Sequence, residues 1–181
     1  MTSQSLSRRD LIVAAAFVPA VAAAAPQTRR AEDPGISRAN AAIHHEVRFK
    51  GSPAQVYKVL TNAKLFDRLV VLSGAMESMA LAVKPCRIDL EPGGSFELFG
   101  GYITGRQIEL APGQRLVQTW RSGGWKPHIH SIARFELTGH AGETMLVFDH
   151  TGIPNEEAES LAKGWREHYW VPLAKVLAEG V

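Results

Sequence analysis

Residues 154–177 read PNEEAESLAKGWREHYWVPLAKVL, and this stretch decides the fold. Pro154 to Glu157 have the composition of a helix start, with acidic residues in the first turn. Behind them Ala158, Leu161, Ala162, Trp165, Tyr169, Leu173, Val176 and Leu177 recur at i, i+3 and i+4, which makes one wide apolar stripe. Pro172 interrupts the helix interior and removes one backbone hydrogen bond, so a kink is expected near His168 to Pro172. A helix with so broad an apolar face needs a large partner surface.

The chain upstream supplies that surface as strands. From His44 the pattern alternates, with Val47 and Phe49 on one face and Glu46, Arg48 and Lys50 on the other. Ser52 and Pro53 then cap and start a short helix with Val56, Val59 and Leu60 on its apolar side. A second helical piece covers Ala63 to Leu69, and residues 70–82 are ambiguous among helix, loop and lid. Strands are expected at 86–90, 95–99, 102–110, 115–121, 128–137 and 144–150. Turn signals between them, such as Pro92-Gly93-Gly94, Pro112-Gly113, Gly123-Gly124 and Gly139–Gly142, fall every 8–12 residues, as in an antiparallel meander. The result is an α+β fold: a curved antiparallel sheet of about six to seven strands around a long C-terminal helix, with two short helices after strand 1. Such an arrangement leaves room for a cavity between sheet and helix, the usual place for a small-molecule site.

Composition narrows the function classes. The chain has 181 residues, 45% hydrophobic and 21% charged, with a net charge of +2. That is room for one domain with a real core, too apolar to be disordered and too balanced for a dedicated nucleic-acid binder. A single cysteine, Cys86, excludes an internal disulfide framework.

Residues 1–26 read as an address. Ser7-Arg8-Arg9-Asp10-Leu11-Ile12 carries adjacent arginines, and the apolar run Leu11 to Ala25 is about 15 residues long, short of the ~20 a spanning helix needs. Ala22-Ala23-Ala24 fits small-x-small cleavage. The segment resembles a bacterial twin-arginine signal, which implies recognition of residues 7–12 by the twin-arginine export machinery and a periplasmic or secreted mature protein that does not span the membrane. Residues 27–40 are a polar linker, and 41–181 form the domain.

Gly100 to Gln107 lacks the Lys-Ser/Thr of a phosphate loop and continues into a strand, so its glycines read as turn or bulge positions. His128 and His130 are expected on one strand face, about 6–7 Å apart; a metal site needs a third ligand, which His150 or His44 could supply but no spacing demands, so no metal is assigned. His150 shares a strand face with Leu146 and Phe148, and so is expected as a polar group in an apolar interior, either structural or ligand-orienting. Asp149-His150 and Glu167-His168 are weak dyads, and no Gly-x-Ser-x-Gly elbow occurs. Cys86 reads as an inert buried thiol. No catalytic motif and no cofactor are assigned. Trp120 and Trp125, beside the Gly123-Gly124 loop, are placed to line a pocket mouth or a protein contact.

The run Gly94-Ser-Phe-Glu-Leu-Phe-Gly-Gly-Tyr-Ile-Thr-Gly105 resembles the C-terminal domain of the activator of the 90-kDa heat-shock-protein ATPase. So do Arg115-Leu-Val-Gln-Thr-Trp120, Gly142-Glu-Thr144, Gly152-Ile-Pro154, and Gly164-Trp165 followed by Tyr169. The resemblance runs from about Val47 to Leu177 and implies the helix-grip fold of the START-like (SRPBCC) superfamily. In the eukaryotic co-chaperone this domain works beside a separate N-terminal domain that this chain is expected to lack, and an exported protein would meet no cytosolic chaperone. The resemblance therefore implies binding of a small hydrophobic molecule or lipid between sheet and helix, in a cavity of at least several hundred Å³. The expected lining residues are Phe96, Trp120, Phe135, Phe148, His150, Trp165 and Tyr169. The alternatives are a co-chaperone-like protein-binding module, with an exposed apolar patch around Trp125 and residues 99–105, and a cyclase or hydrolase using His150 or the His128/His130 pair.

Overall fold

A computed structural model describes residues 40–181 of the chain. The export-signal reading of 1–26 and the linker reading of 27–40, up to residue 39, lie outside the described residues, and Asn40 already belongs to the first strand. Seven strands form one antiparallel sheet: β1 (Asn40–Lys50), β2 (Arg87–Ile88), β3 (Ser95–Leu98), β4 (Ile103–Ala111), β5 (Arg115–Ser122), β6 (Ser131–His140) and β7 (Glu143–Pro154). Their order is β1-β7-β6-β5-β4-β3-β2, so only the β1–β7 pairing joins strands distant in sequence. Buried and exposed residues alternate along β5, β6 and β7 with the period of two that a half-buried pleated sheet demands.

The first strand gives way to α1 (Pro53–Thr61) at a capping box. The Gln55 backbone N–H donates to Ser52 Oγ at 3.3 Å, and the Ser52 N–H donates to Gln55 Oε1 at 2.8 Å. Asn62 caps α2 (Ala63–Ser73) through the Leu65 N–H at 3.1 Å. The ambiguous segment 70–82 resolves into the last turn of α2, a left-handed stop at Gly74, the four-residue α3 (Ala75–Ser78) and an irregular strap. Asp67 on α2 ties that strap down, accepting the Cys86 N–H at 2.7 Å. The strand expected at 86–90 shrinks to two residues, because the chain leaves this strap only at Arg87.

The C-terminal helix is continuous in handedness but not in pitch. After a 3₁₀ turn at Asn155–Glu157 it runs as α4 (Ala158–Gly164), a π-helical segment at Trp165–Trp170, and α5 (Val171–Ala178). Pro172 stands in the first turn of α5, where its missing N–H matters least. The Val171 N–H reaches back five residues to the Arg166 carbonyl, so the departure expected at Pro172 takes the form of a widened turn preceding it. That turn carries Trp165, Tyr169 and Trp170 all to the inside. A regular stripe predicts the first two and omits Trp170.

Two further expectations are corrected. His128 and His130 do not share a strand face: β6 starts at Ser131, and both imidazoles sit exposed in the loop before it, set off by Pro127. The patch expected around Trp125 and 99–105 is closed, since Phe99, Ile103 and Trp125 are all buried. The exposed large apolar side chains nearest the strap are instead Val71, Met79 and Val83.

Candidate functional site

Six of the seven expected residues meet around one side chain. The Trp165 ring lies 4.3 Å from Phe148, 5.9 Å from Phe135, 5.7 Å from Trp120, 5.5 Å from His150 and 4.0 Å from Tyr169, centroid to centroid. The seventh, Phe96, joins Phe135, Trp120, Trp165 and Tyr169 around a void of only about 10 Å³. These rings are therefore packed against one another, as a close-packed interior requires. Gly105 makes the packing possible from the sheet side: it pairs with both Phe96 and Trp120 across β4, and a Cβ there would lie 2.0 Å from the Thr119 carbonyl and 2.4 Å from the Phe96 ring.

His150 sits in this sealed region with no exposed surface and both ring nitrogens engaged. The Trp165 indole N–H donates to Nδ1 at 3.0 Å, so the proton sits on Nε2. Nε2–H then donates to Ser131 Oγ at 2.6 Å, and the Ser131 hydroxyl in turn donates to the Trp120 carbonyl at 3.0 Å. Burial pushes the imidazole down to about 3. A second proton would face the indole N–H donor to donor. This histidine has no free valence for acid–base work, and Asp149, its neighbour in sequence, points the other way to His44 and Arg134 on the outer face. Cys86 is equally unreactive, its thiol pushed up to about 12 by burial with the Asp67 carboxylate adding to the effect.

Open space occurs at one end of the sheet, between the start of the C-terminal helix and the β4–β5 corner. A pocket of about 220 Å³ is lined there by Trp120, Trp165 and Tyr169 of the expected set, with Phe99, Tyr102, Ile103 and Trp125 on the sheet side. From the helix come Glu157, Ser160, Leu161, Gly164 and His168, one face at near-helical spacing. Phe96, Phe135, Phe148 and His150 do not line it. Trp120 and Trp125 stand edge to face at 5.5 Å and form one wall. The Phe99 ring, 5.3 Å from Tyr169, forms another, and its backbone has φ +50°, a left-handed conformation that costs a non-glycine residue energy. Gly100 and Gly101 continue that left-handed turn. Gly164 leaves space in the helix wall, since only the His168 ring comes within 4.0 Å of where its Cβ would stand.

Phe99, Tyr102, Leu161 and His168 were not anticipated as lining residues. Phe99 and Tyr102 bracket Gly100-Gly101, and these two glycines flanked by aromatics mark the corner in sequence together with Trp120 and Trp125 beside Gly123-Gly124. Among the described residues no group of His, Cys, Asp and Glu is arranged to hold a metal ion.

The family model for activator of Hsp90 ATPase homologue 1-like proteins matches residues 50–178. The mouse activator of 90 kDa heat shock protein ATPase homologue 1 is 24% identical over 159 residues, 88% of this chain and 44% of the relative. The Dictyostelium discoideum homologue is 31% identical over 122 residues, 66% of this chain and 28% of the relative. This chain thus spans less than half the length of these curated relatives. Among solved structures, an HSP90 activator from Plasmodium falciparum superimposes with a TM-score of 0.63 at 22% identity, covering 76% of this chain and 96% of that one.

Proposed function

This chain belongs to the family of activator of Hsp90 ATPase homologue 1-like proteins, and from that premise we propose that it is a non-enzymatic binder of a small, mainly apolar molecule. The observation that carries the reading is the pocket of about 220 Å³ with walls of Phe99, Trp120, Trp125, Trp165 and Tyr169. Its size narrows the ligand. A dry apolar cavity of ~150 Å³ takes one benzene, so this pocket suits a molecule of one to two rings and falls short of a whole lipid or sterol. Enclosing aromatic walls supply the apolar contact, and binding would bury about the surface of such a ligand.

Trp120, Trp125 and Trp165 make the pocket its own reporter. Titrating the purified chain with single-ring and two-ring aromatic compounds should quench or shift indole fluorescence saturably, and native mass spectrometry should show one bound molecule. No saturable signal from any of them would overturn the reading. The export reading belongs to the same proposal, and fractionation that finds the protein only in the cytoplasm would remove it.

A second reading, a protein-binding module, draws on the names of the relatives and on Val71 and Val83, which are 77% and 90% exposed beside the strap. A rise in ATP turnover when this chain is added to a purified 90-kDa heat-shock-protein ATPase would favour it. The histidine-dependent enzyme reading loses its physical basis, with His150 saturated and His128 and His130 in an exposed loop.

A further inference from the structure

The pocket at the β4–β5 corner has a graded lining. Its floor is aromatic and sealed: Phe99, Trp120, Trp125, Trp165 and Tyr169 are 1–6% exposed. Its rim is half-buried or open to solvent, with Met79, Tyr102, Glu157 and Ser160. No lysine or arginine lines the pocket, and Glu157 is its one carboxylate. That carboxylate is not spent on the protein. Glu157 stands at the N-cap of α4, yet its side chain makes no capping hydrogen bond, and the Ser160 hydroxyl donates to its backbone carbonyl at 3.0 Å. Among the described residues Glu157 has no ion pair, whereas Glu167 meets Lys163 Nζ at 3.8 Å and Glu179 meets Arg68 Nε at 2.6 Å. Arg166 of the same helix lies against His45 at 3.2 Å.

We infer that Glu157 is the rim counter-charge for a cationic guest, and that the ligand is a small arylalkylammonium compound whose ring fills the aromatic floor and whose ammonium group meets the Glu157 carboxylate. The inference rests on the pocket-binding reading above and names the ligand class of that same site. A guest on the floor displaces water from the rim beside it, and a carboxylate that loses water without gaining a partner is costly. A cation at that end of the guest restores the lost interaction as a charge-assisted hydrogen bond, while a second carboxylate there would add repulsion. The lining therefore matches a molecule graded in the same way, apolar at one end and positive at the other. His168 is the other titratable side chain at the helix wall. It lies about three turns further along the helix, ~16 Å at the α-helical rise, too far to pair with Glu157.

Three probes of similar size separate the possibilities: 2-phenylethylammonium, 2-phenylethanol and phenylacetate. Indole fluorescence of the full chain at about pH 8 gives each affinity. The ammonium is expected to bind tightest and phenylacetate weakest. In Glu157→Gln the affinity for the ammonium should fall by about 5- to 10-fold, while that for 2-phenylethanol stays within about twofold. Raising sodium chloride from about 20 mM to about 0.5 M should weaken the ammonium in the unmutated protein and leave the alcohol unchanged, because screening acts on the charged pair alone. Glu156→Gln removes the same charge from the exposed neighbour outside the lining, and should leave the ammonium affinity within about twofold. An equal loss in both variants would assign the attraction to net charge and refute the counter-charge. If the ammonium and the alcohol bind equally and respond equally to Glu157→Gln and to salt, the counter-charge is refuted while the binding reading stands. Binding of none of the three would overturn both readings.

Discussion

The interior of this protein has two ends built from the same kinds of residue and finished differently. At the β1–β7 end, Trp165, Trp170, His45, His150 and Ser131 use their polar atoms on one another, and the Phe148, Trp165 and Trp170 rings pack 4.3–5.4 Å apart. At the β4–β5 end, Trp120, Tyr169 and His168 leave polar atoms unpaired beside an open pocket of about 220 Å³. The lesson is about where stability and binding are kept apart. Saturated polar groups in a packed aromatic region rigidify it, and the open space lies where that packing stops.

The largest effect that would break this comparison comes from His150. Replacing it with alanine removes a fully buried ring and leaves the Trp165 N–H without its acceptor, while the Ser131 hydroxyl keeps the Trp120 carbonyl. The expected loss is about 3–5 kcal/mol, cavity and orphaned donor together, read from urea denaturation. A loss below about 1 kcal/mol would mean that the β1–β7 end is not the rigid half.

The same histidine makes stability depend on acid. Its folded-state value is lowered to about 3 from an ordinary 6.5, so the unfolded chain binds a proton that the folded chain refuses. That stabilisation is complete above the unfolded value and is lost as pH falls from about 6.5 toward 3, with a limiting slope of ~1.4 kcal/mol per pH unit. Denaturation midpoints measured across that range should fall accordingly, and in His150→Gln the slope between pH 6 and 4 should flatten. An equal slope in both proteins would assign the acid sensitivity elsewhere.

Gly105 tests the seam between the two ends. In Gly105→Ala the new methyl has to displace the Thr119 carbonyl or the Phe96 ring, which should cost about 1–3 kcal/mol. A neutral result in thermal denaturation would show that β4 can slide without disturbing Trp120 and Phe96.

Much of this architecture was open to reading in the sequence, for reasons that differ along the chain. Period-two alternation around Val47 and Phe49, the Ser52-Pro53 start and the Gly/Pro turns are local signals, and each became the expected element. The strand at 128–137 was misjudged by three residues because Pro127 lies in a loop that ends at His130, and the apolar-polar rhythm of Ile129 continues across the boundary. The widened turn at Trp165–Trp170 had a trace in Pro172 but no signature of its own pitch. The seven expected aromatic and histidine residues do converge. Whether converging rings leave a hole, however, depends on summed volumes across five strands and a helix, and no periodicity carries that quantity. The pocket therefore lay one layer further out than expected, at the corner marked by Phe99-Gly100-Gly101-Tyr102.

The smallest effect on stability belongs to Gly164, and it separates the two ends most cleanly. The residue has ordinary helical angles, φ −56° and ψ −41°, and nothing but the edge of His168 within 4.0 Å of its missing Cβ. A leucine there gains up to ~1 kcal/mol of helix propensity over glycine, offset in part by the apolar surface it exposes to the pocket. The net change in folding stability should stay within about 1 kcal/mol. The side chain, however, projects from the wall between Leu161 and His168 and occupies a large share of a space of about 220 Å³. Gly164→Leu should therefore abolish the fluorescence response to aromatic probes while the melting temperature and the acid slope set by His150 remain as they were. If binding survived intact in a protein of unchanged stability, the guest would have to sit somewhere other than the β4–β5 corner, and the division of the interior into a structural end and a receptive end would fail.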